Sequence, residues 1–115
     1  MRTLQQARTV SAKAHPILRE CKRLICRLLP DATVLLYGSL ARGTAGPESD
    51  YDIVVLTESP LSAADEDRVN DALYELELEH GVVISALFYA RSQWDDPVHR
   101  VMPLHREIER EGVVL

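Results

Sequence analysis

The apolar residues of this chain follow two different spacings, and each spacing predicts a different kind of element. Short runs in which almost every residue is apolar, and many are leucine or β-branched, predict buried strands at residues 33–37, 51–56 and 82–89. Between these runs, apolar residues recur three or four positions apart, as on the buried face of a helix. Helices and strands therefore alternate along the chain, which predicts an α/β fold.

The predicted helices have local signals at their ends. The first begins near Pro16 and stops at residues 29–31. The second begins at Ser62, which approximates a capping box with Asp65, and ends at Gly81 as a left-handed cap. The first helix carries an apolar stripe that predicts a face packed on the sheet: Ile17, Leu18, Cys21, Leu24, Ile25 and Leu28.

The two ends of the chain are less regular. Residues 1–15 are weakly helical and have less apolar surface to bury, which predicts an N-terminal helical extension that could serve a partner. The last helix, at residues 98–110, contains Pro103, which implies a kink or a late start. Residues 113–115 are apolar and predict an edge strand or a partner contact. Exposed edge strands and the N-terminal extension are compatible with a homo-oligomer and with a hetero-oligomer.

Length and charge narrow the classes of function. A chain of 115 residues predicts a single domain, residues 1–115. The 18 acidic and 13 basic residues give a net charge of −5, which argues against an extended nucleic-acid surface. The chain has no apolar run long enough for a membrane span, and its first residues lack the apolar core of a signal peptide, so we expect a cytoplasmic protein.

The stretch between the first two predicted strands carries the candidate chemistry. Asp50 and Asp52 are two residues apart at the start of a strand, so they share a face and lie roughly 6.6 Å apart along the backbone. Two carboxylates brought to ~4 Å would repel by about 4 kcal/mol at a semi-buried site, and a divalent cation removes that repulsion. Ligation by oxygen alone favours Mg²⁺ or Mn²⁺ over Zn²⁺.

A phosphate-binding turn is predicted at the other end of this stretch. Gly38 permits a tight turn and a close approach of the backbone to a ligand. Ser39 can cap a short helix whose free N–H groups would face a phosphate. Arg42 lies one turn further on and could add a charged fork to the phosphate. Phosphate donors near a pair of metal ligands predict a site for a metal-bound nucleoside triphosphate.

This stretch resembles the signature of the minimal nucleotidyltransferases of the DNA polymerase beta superfamily. The signature is Gly-Ser, ten residues and Asp-any-Asp, and it is matched without a gap by Gly38-Ser39, residues 40–49 and Asp50-Tyr51-Asp52. Ala41-Arg42-Gly43 and Ser49-Asp50 are also similar to the family. The resemblance covers most of the chain and implies a polymerase beta-like fold, which is a small, mixed, twisted sheet with helices packed mainly on one side.

The same resemblance implies a reaction and a set of site residues. A hydroxyl would attack the α-phosphorus of a magnesium-bound triphosphate, with ATP expected, and pyrophosphate would leave. Asp50 and Asp52 would hold the Mg²⁺ or Mn²⁺ ion, and backbone N–H groups of the turn would seat the β- and γ-phosphates. The nucleotide-binding residues would be Gly38, Ser39, Arg42, Gly43 and Ser49. Arg42 would neutralise phosphate charge or contact the acceptor.

The third predicted strand departs from the family pattern. Active members generally carry a third acidic residue there, but residues 82–89 contain no Asp or Glu, and Ser85 is the short polar residue that would take its catalytic place. A serine hydroxyl is a poor base at neutral pH, and general acid–base help is typically worth ~10²–10⁴-fold. The chain would therefore either transfer slowly or bind the nucleotide without turnover. Acidic residues that could substitute in principle are Glu77, Glu79, Asp95 and Asp96.

The resemblance also implies a protein partner. Many small members of the family are paired with a separate HEPN-domain protein, and in toxin–antitoxin pairs of this kind the antitoxin transfers AMP to a tyrosine of its partner. The implied function is thus that of an antitoxin that modifies a HEPN toxin. Two alternatives stay open: a catalytically impaired module that neutralises a toxin by occlusion, and a small-molecule nucleotidyltransferase, which the short chain disfavours.

Overall fold

The computed structural model describes residues 1–46 and 50–115, and helices and strands alternate along it as the apolar spacing predicts. The strands are β1 (Arg2–Thr3), β2 (Thr33–Tyr37), β3 (Tyr51–Thr57), β4 (Ile84–Ala90) and β5 (Val113–Val114). The helices are α1 (Ala14–Leu28), α2 (Gly38–Arg42), α3 (Ala63–His80), α4 (Arg91–Trp94), α5 (Pro97–Arg100) and α6 (Pro103–Glu111). None of these helices is long and apolar enough to cross a membrane.

The described strands form one mixed sheet in the order β1-β5-β2-β3-β4. β2 runs antiparallel to both of its neighbours, β5 and β3, whereas β1 is parallel to β5 and β4 is parallel to β3. The predicted α/β fold with a mixed sheet is therefore confirmed. An edge strand at residues 113–115 was a wrong prediction, because β5 lies inside the sheet and pairs with β1 on one side and β2 on the other.

Helices cover both faces of the sheet. Successive side chains of a strand point in opposite directions, so the strands contribute apolar residues to two separate cores. The long helices α1 and α3 lie on one face, where the larger core includes Leu18, Ile25, Leu36, Ile53, Val55, Val69 and Leu73. The short helices α4 and α6 lie on the other face, where the core consists of Leu35, Val54, Leu56, Trp94 and Ile108. Asp52 alternates in step with Val54, so the candidate site belongs to the face that the short helices cover.

Residues 1–13 do not form the helical extension that their spacing predicted. They form β1 and a series of turns, and α1 begins after them. Leu4, Ala7 and Val10 are nevertheless buried, at 7%, 1% and 5% exposure, because the turns bring them into the main core. The backbone N–H of Leu4 donates to the carbonyl oxygen of Val114 at 3.0 Å. These apolar residues fill the core of their own chain, so the premise that the segment has little apolar surface to bury is wrong.

The predicted helix ends are accurate where a turn residue carries the signal. The hydroxyl of Ser62 accepts a hydrogen bond from the backbone N–H of Asp65 at 3.1 Å and caps α3. Gly81 ends the same helix with a φ of 65°. Near the C-terminus, α5 and α6 are separate helices, and Pro103 stands at the first position of α6. The proline therefore begins a new helix rather than kinking a long one.

Candidate active site

The turn from β2 into α2 presses the backbone against a carboxylate. Gly38 adopts a φ of +79°, a conformation that L side chains rarely adopt. A Cβ atom built on Gly38 would lie 2.7 Å from Oδ2 of Asp52, closer than real Cβ atoms come. Tyr37, the residue before, pairs with Asp52 across the antiparallel strands. The structure thus brings the predicted tight turn directly against one of the two predicted metal ligands.

Ser39 lies within α2, and Gly43 ends this helix. Ser39 lies inside α2, whose N-cap is Tyr37, so the prediction that Ser39 caps this helix is wrong. The carbonyl oxygen of Ser39 instead accepts from the backbone N–H of Thr44 at 3.0 Å. Gly43 ends α2 with a φ of +80°, and a Cβ atom there would lie 2.8 Å from the carbonyl oxygen of Thr9. Gly43 therefore lets the N-terminal segment approach α2.

The two aspartates interact with each other. Asp52 lies in β3 and is half-buried, whereas Asp50 precedes the strand and is exposed. Burial raises the pKa of Asp52, and the negative charges of Asp50 and Glu107 raise it further, while Arg42 lowers it. A carboxylate destabilised by burial and by a second carboxylate is one that a bound cation would stabilise.

Ser49, the remaining residue of the predicted nucleotide-binding stretch, lies outside the described residues.

Ser85 lies beside Asp52. The two residues are partners in the parallel register of β3 and β4, and paired residues of parallel strands point to the same face of the sheet. Ser85 is half-buried. The strand position next to the Asp52 carboxylate is therefore held by a neutral hydroxyl, at the place where the family resemblance implies an acidic residue.

The other acidic residues that could substitute for the third carboxylate in principle make hydrogen bonds or ion pairs elsewhere. Glu77 accepts a hydrogen bond from the first backbone N–H of β4 at 3.2 Å. Asp96 accepts from a backbone N–H at the start of α5 at 2.8 Å, which caps that helix. Asp95 lies 3.9 Å from a guanidinium nitrogen of α5. None of these contacts joins the three residues to Asp52.

Glu79, the fourth of these residues, belongs to a separate group between α1 and α3. Glu20, Glu79 and His80 each offer a ligand atom, and these atoms lie within 4.8 Å of one another. The Nε2 atom of His80 is 2.9 Å from a carboxylate oxygen of Glu20, so a hydrogen bond between two helices accounts for their proximity. The group lies on the α1–α3 side of the sheet, away from the face that carries Asp52.

Arg42 is held by two residues that the sequence analysis did not single out. Its Nη1 atom is 3.0 Å from Oε1 of Glu107 and 3.1 Å from Oε2 of Glu111, both on α6. The hydrogen bond to Glu111 raises the pKa of Arg42, and the same bond lowers the pKa of Glu111. The two glutamates are four residues apart on a helix, and this spacing was the available signal that they share a face.

Glu107 also belongs to the electrostatic surroundings of the aspartates. Burial raises the pKa of the Tyr37 phenol, and the negative charges of Asp52 and then Glu107 raise it further. Glu107 likewise raises the pKa of Asp52. Tyr37, Asp52, Glu107 and Arg42 therefore share one electrostatic environment, which β2, β3, α2 and α6 build together.

A cleft of about 550 Å³ lies beside α2 and the start of β3. It is lined by the N-terminal segment, α2, the first residue of β3 and the residues before β4, including Lys13, Leu40, Tyr51 and Val83. Tyr51 is adjacent to Asp52 in β3, so it points to the opposite face of the sheet. The cleft is therefore distinct from the surface on which Asp52 lies.

Residues 18–111 match the family model described as a nucleotidyltransferase domain. The chain belongs to the nucleotidyltransferase family. The match extends from α1 through α6 and includes the turn at Gly38, both aspartates and the two glutamates that hold Arg42. The resemblance that the sequence signature indicated is therefore confirmed.

Individual relatives agree with this assignment. The chain is 34% identical over 82 residues, 71% of its length, to a Methanocaldococcus jannaschii protein assigned as a protein adenylyltransferase, and it covers 75% of that protein. It is 37% identical over 57 residues to the Haemophilus influenzae protein assigned as the protein adenylyltransferase MntA, with 50% of each chain covered. It thus spans only about half the length of the second relative.

A solved structure shares the fold. The crystal structure of a toxin-antitoxin with AMP-PNP superposes with a TM-score of 0.60 over 84% of this chain and 69% of that chain, at 18% identity. At this identity the likeness concerns the fold alone. It agrees with the mixed sheet and the arrangement of helices described above.

Proposed function

We propose that this minimal nucleotidyltransferase transfers a nucleoside monophosphate, AMP from magnesium-bound ATP, to a hydroxyl of a protein partner. The observation that carries the proposal is the contact between Gly38 and Asp52. A Cβ atom at position 38 would lie 2.7 Å from the carboxylate, so the turn that would seat phosphates and a residue that would hold the metal are directly adjacent. Nucleotide and metal need this proximity because the metal binds phosphate oxygens.

The residues present fit a divalent cation. Asp50 and Asp52 are oxygen ligands of the kind that Mg²⁺ and Mn²⁺ prefer. The Asp52 carboxylate is disfavoured by burial and by the charge of Asp50, and these are the costs that a cation would offset. A magnesium ion bound there would neutralise phosphate charge and orient the triphosphate.

The reaction forms one bond and breaks another at the α-phosphorus. The acceptor oxygen bonds to the α-phosphorus, the bond between that phosphorus and the bridging oxygen of the β-phosphate breaks, and pyrophosphate leaves with its electron pair. The backbone N–H groups at the start of α2 would bind the β- and γ-phosphates, and Arg42 would add a charged contact. Ser85 is a weak base, so the hydroxyl proton would pass to water and the transfer would be slow.

The names of the relatives support a protein acceptor. Two proteins that are 34% and 37% identical to this chain are assigned as protein adenylyltransferases. The fold neighbour crystallised with AMP-PNP is a toxin-antitoxin. We therefore propose that this chain acts as the antitoxin of a pair and that its partner is a HEPN-domain toxin.

A second candidate function is neutralisation of the toxin by occlusion without transfer. The neutral Ser85 beside Asp52 favours it, because an acidic neighbour for the metal ligand is absent from that strand position. In this case the chain would keep its nucleotide site and bind its partner, but no covalent product would form.

Intact mass spectrometry separates the two candidates. The chain would be mixed with the product of its neighbouring gene, Mg²⁺ and each nucleoside triphosphate in turn. We expect the partner to gain the mass of one or more AMP groups, and EDTA to prevent the gain. The double variant D50N/D52N should lose the transfer, whereas D67N/D71N, which makes the same charge change on exposed positions of α3, should retain it.

Each candidate predicts a different combination of results. A stable complex without any mass gain would contradict transfer and support occlusion, provided that D50N/D52N still neutralises the toxin. A mass gain on a small molecule but never on the partner protein would contradict both.

A further inference from the structure

Glu107 and Glu111 have no assigned part in the reaction, yet they hold the arginine of the candidate nucleotide site. We propose that these two glutamates position the guanidinium of Arg42 so that it presents one edge to the nucleotide phosphates. The inference rests on the proposed function and adds to it two positioning residues, both on α6.

The contact geometry leaves a usable edge on the arginine. Both ion pairs are made by the same terminal nitrogen of Arg42, Nη1, at 3.0 Å to Glu107 and 3.1 Å to Glu111. A guanidinium carries five N–H donors in a planar fork, and the edge formed by Nε and Nη2 is used in neither ion pair. That edge matches two oxygens of a phosphate group, so the arginine can bind the glutamates and a phosphate together.

The helix that carries the glutamates is firmly held. Ile108, which lies next to Glu107, is fully buried in the core on this face of the sheet. Gly112 follows α6, and a Cβ atom there would lie 2.4 Å from the carbonyl oxygen of Ile108, so the chain turns tightly into β5. Because α6 is fixed by this core and by the sheet, its glutamates are a rigid support for a long and flexible side chain.

The ion pairs are more useful for positioning than for stability. The side chains of Arg42, Glu107 and Glu111 are 39%, 31% and 22% exposed, and partly exposed ion pairs add little to the stability of a protein. A side chain that is already ordered, however, loses less entropy when a ligand binds to it. The expected benefit is therefore seen in the affinity for the phosphate-bearing ligand.

The test removes the reach of the glutamates while keeping their charge. In E107D/E111D each side chain is one methylene shorter, so local charge is unchanged but Arg42 is released. We expect the dissociation constant for magnesium-bound ATP, measured by calorimetry, to rise by about fivefold. Binding of adenosine, which has no phosphate, should be unchanged, and so should the thermal midpoint. E109D, on the same helix with an exposed side chain, is the matched control.

Repeating the substitution in an R42A background shows whether the glutamates act through the arginine. There, E107D/E111D should cause no further loss of ATP affinity. Tighter or unchanged ATP binding by E107D/E111D in the chain that retains Arg42 would overturn the proposal. An equal loss of adenosine binding, or an equal loss of ATP affinity in the R42A background, would overturn it as well. Failure of the unmodified chain to bind magnesium-bound ATP would overturn the proposed function as well, which distinguishes it from the other outcomes.

Discussion

The Oδ2 atom of Asp52 lies 2.7 Å from the place where a Cβ of Gly38 would stand, so these two residues can be neighbours only because position 38 has no side chain. The glycine has two separate reasons to be there. Its φ of +79° is unfavourable for other residues, and the carboxylate occupies the space that a side chain would need.

A comparison of two glycine substitutions separates these reasons. Gly81 also has a positive φ, of +65°, but nothing lies within 4 Å of its missing Cβ. Both G38A and G81A should lose about 1–2 kcal/mol of unfolding free energy from backbone strain, measured in urea. Only G38A should also displace Asp52 and abolish nucleotide transfer. Transfer that survives in G38A would show that the Asp52 carboxylate is not needed where the structure places it.

The raised pKa of Asp52 makes stability depend on pH in a definite direction. Because its pKa lies above the ordinary 3.8 in the native state, this group adds stability below that value and loses the contribution as the pH rises through the native pKa. In the absence of divalent cations, D52N should therefore be more stable than the unmodified chain at neutral pH, and this difference should disappear in acid. Urea unfolding over a series of pH values measures it.

The exposed Asp95 provides the control for this titration, because D95N changes the same charge away from the site. A gain in D52N that is independent of pH would contradict the assignment of the effect to the Asp52 carboxylate. Equal pH profiles for D52N and D95N would contradict it as well.

Placing an acid at position 85 should accelerate the transfer. Ser85 is paired with Asp52 in the parallel register, so an aspartate there would lie beside the metal ligand and could accept a proton. We expect S85D to raise the rate of AMP transfer with saturating Mg²⁺ by about 10²-fold, the lower end of general acid–base contributions. S85N introduces a side chain with the shape of aspartate but without its charge, and it should leave the rate low. A rate that does not rise in S85D would mean that proton transfer does not limit the reaction.

The N-terminal segment should matter for stability as much as a core helix does. Leu4 is 7% exposed, so L4A should lower the unfolding free energy by about 2–5 kcal/mol, as for other buried leucines. Leu78 is 67% exposed, and L78A should change the unfolding free energy by less than about 0.5 kcal/mol. Equal and small effects of the two substitutions would mean that residues 1–13 are not part of the folded core.

The sequence is sufficient where a structural feature depends on neighbouring residues. β2 has the predicted bounds because its five residues are apolar, β-branched or aromatic in an unbroken run. The cap at Ser62 and the end at Gly81 follow from the conformational preferences of single residues. The Asp-any-Asp spacing predicted two neighbouring carboxylates on one strand; Asp50 instead precedes β3, although its negative charge still raises the pKa of Asp52.

Features that depend on distant parts of the chain were missed. Leu4, Ala7 and Val10 have helical spacing, but the core in which they are buried is formed by residues much later in the chain. A series of turns places them in that core as well as a helix would. Arg42 and its partners are separated by 65 and 69 positions, so no local pattern joins them. A strand was predicted at residues 113–115, but its place inside the sheet was missed, because β5 pairs with segments that are distant in the sequence.

The position of β5 has a consequence for the order in which the chain can fold. β1 contacts the rest of the sheet through β5, and the carbonyl oxygen of Val114 accepts a hydrogen bond from Leu4. During synthesis, β1 must therefore wait for β5, which is made much later, before it can join the sheet. Pairing between such distant segments slows folding. We expect β2, β3 and β4 to form the early part of this fold, and the pairing of β1 with β5 to be its final step.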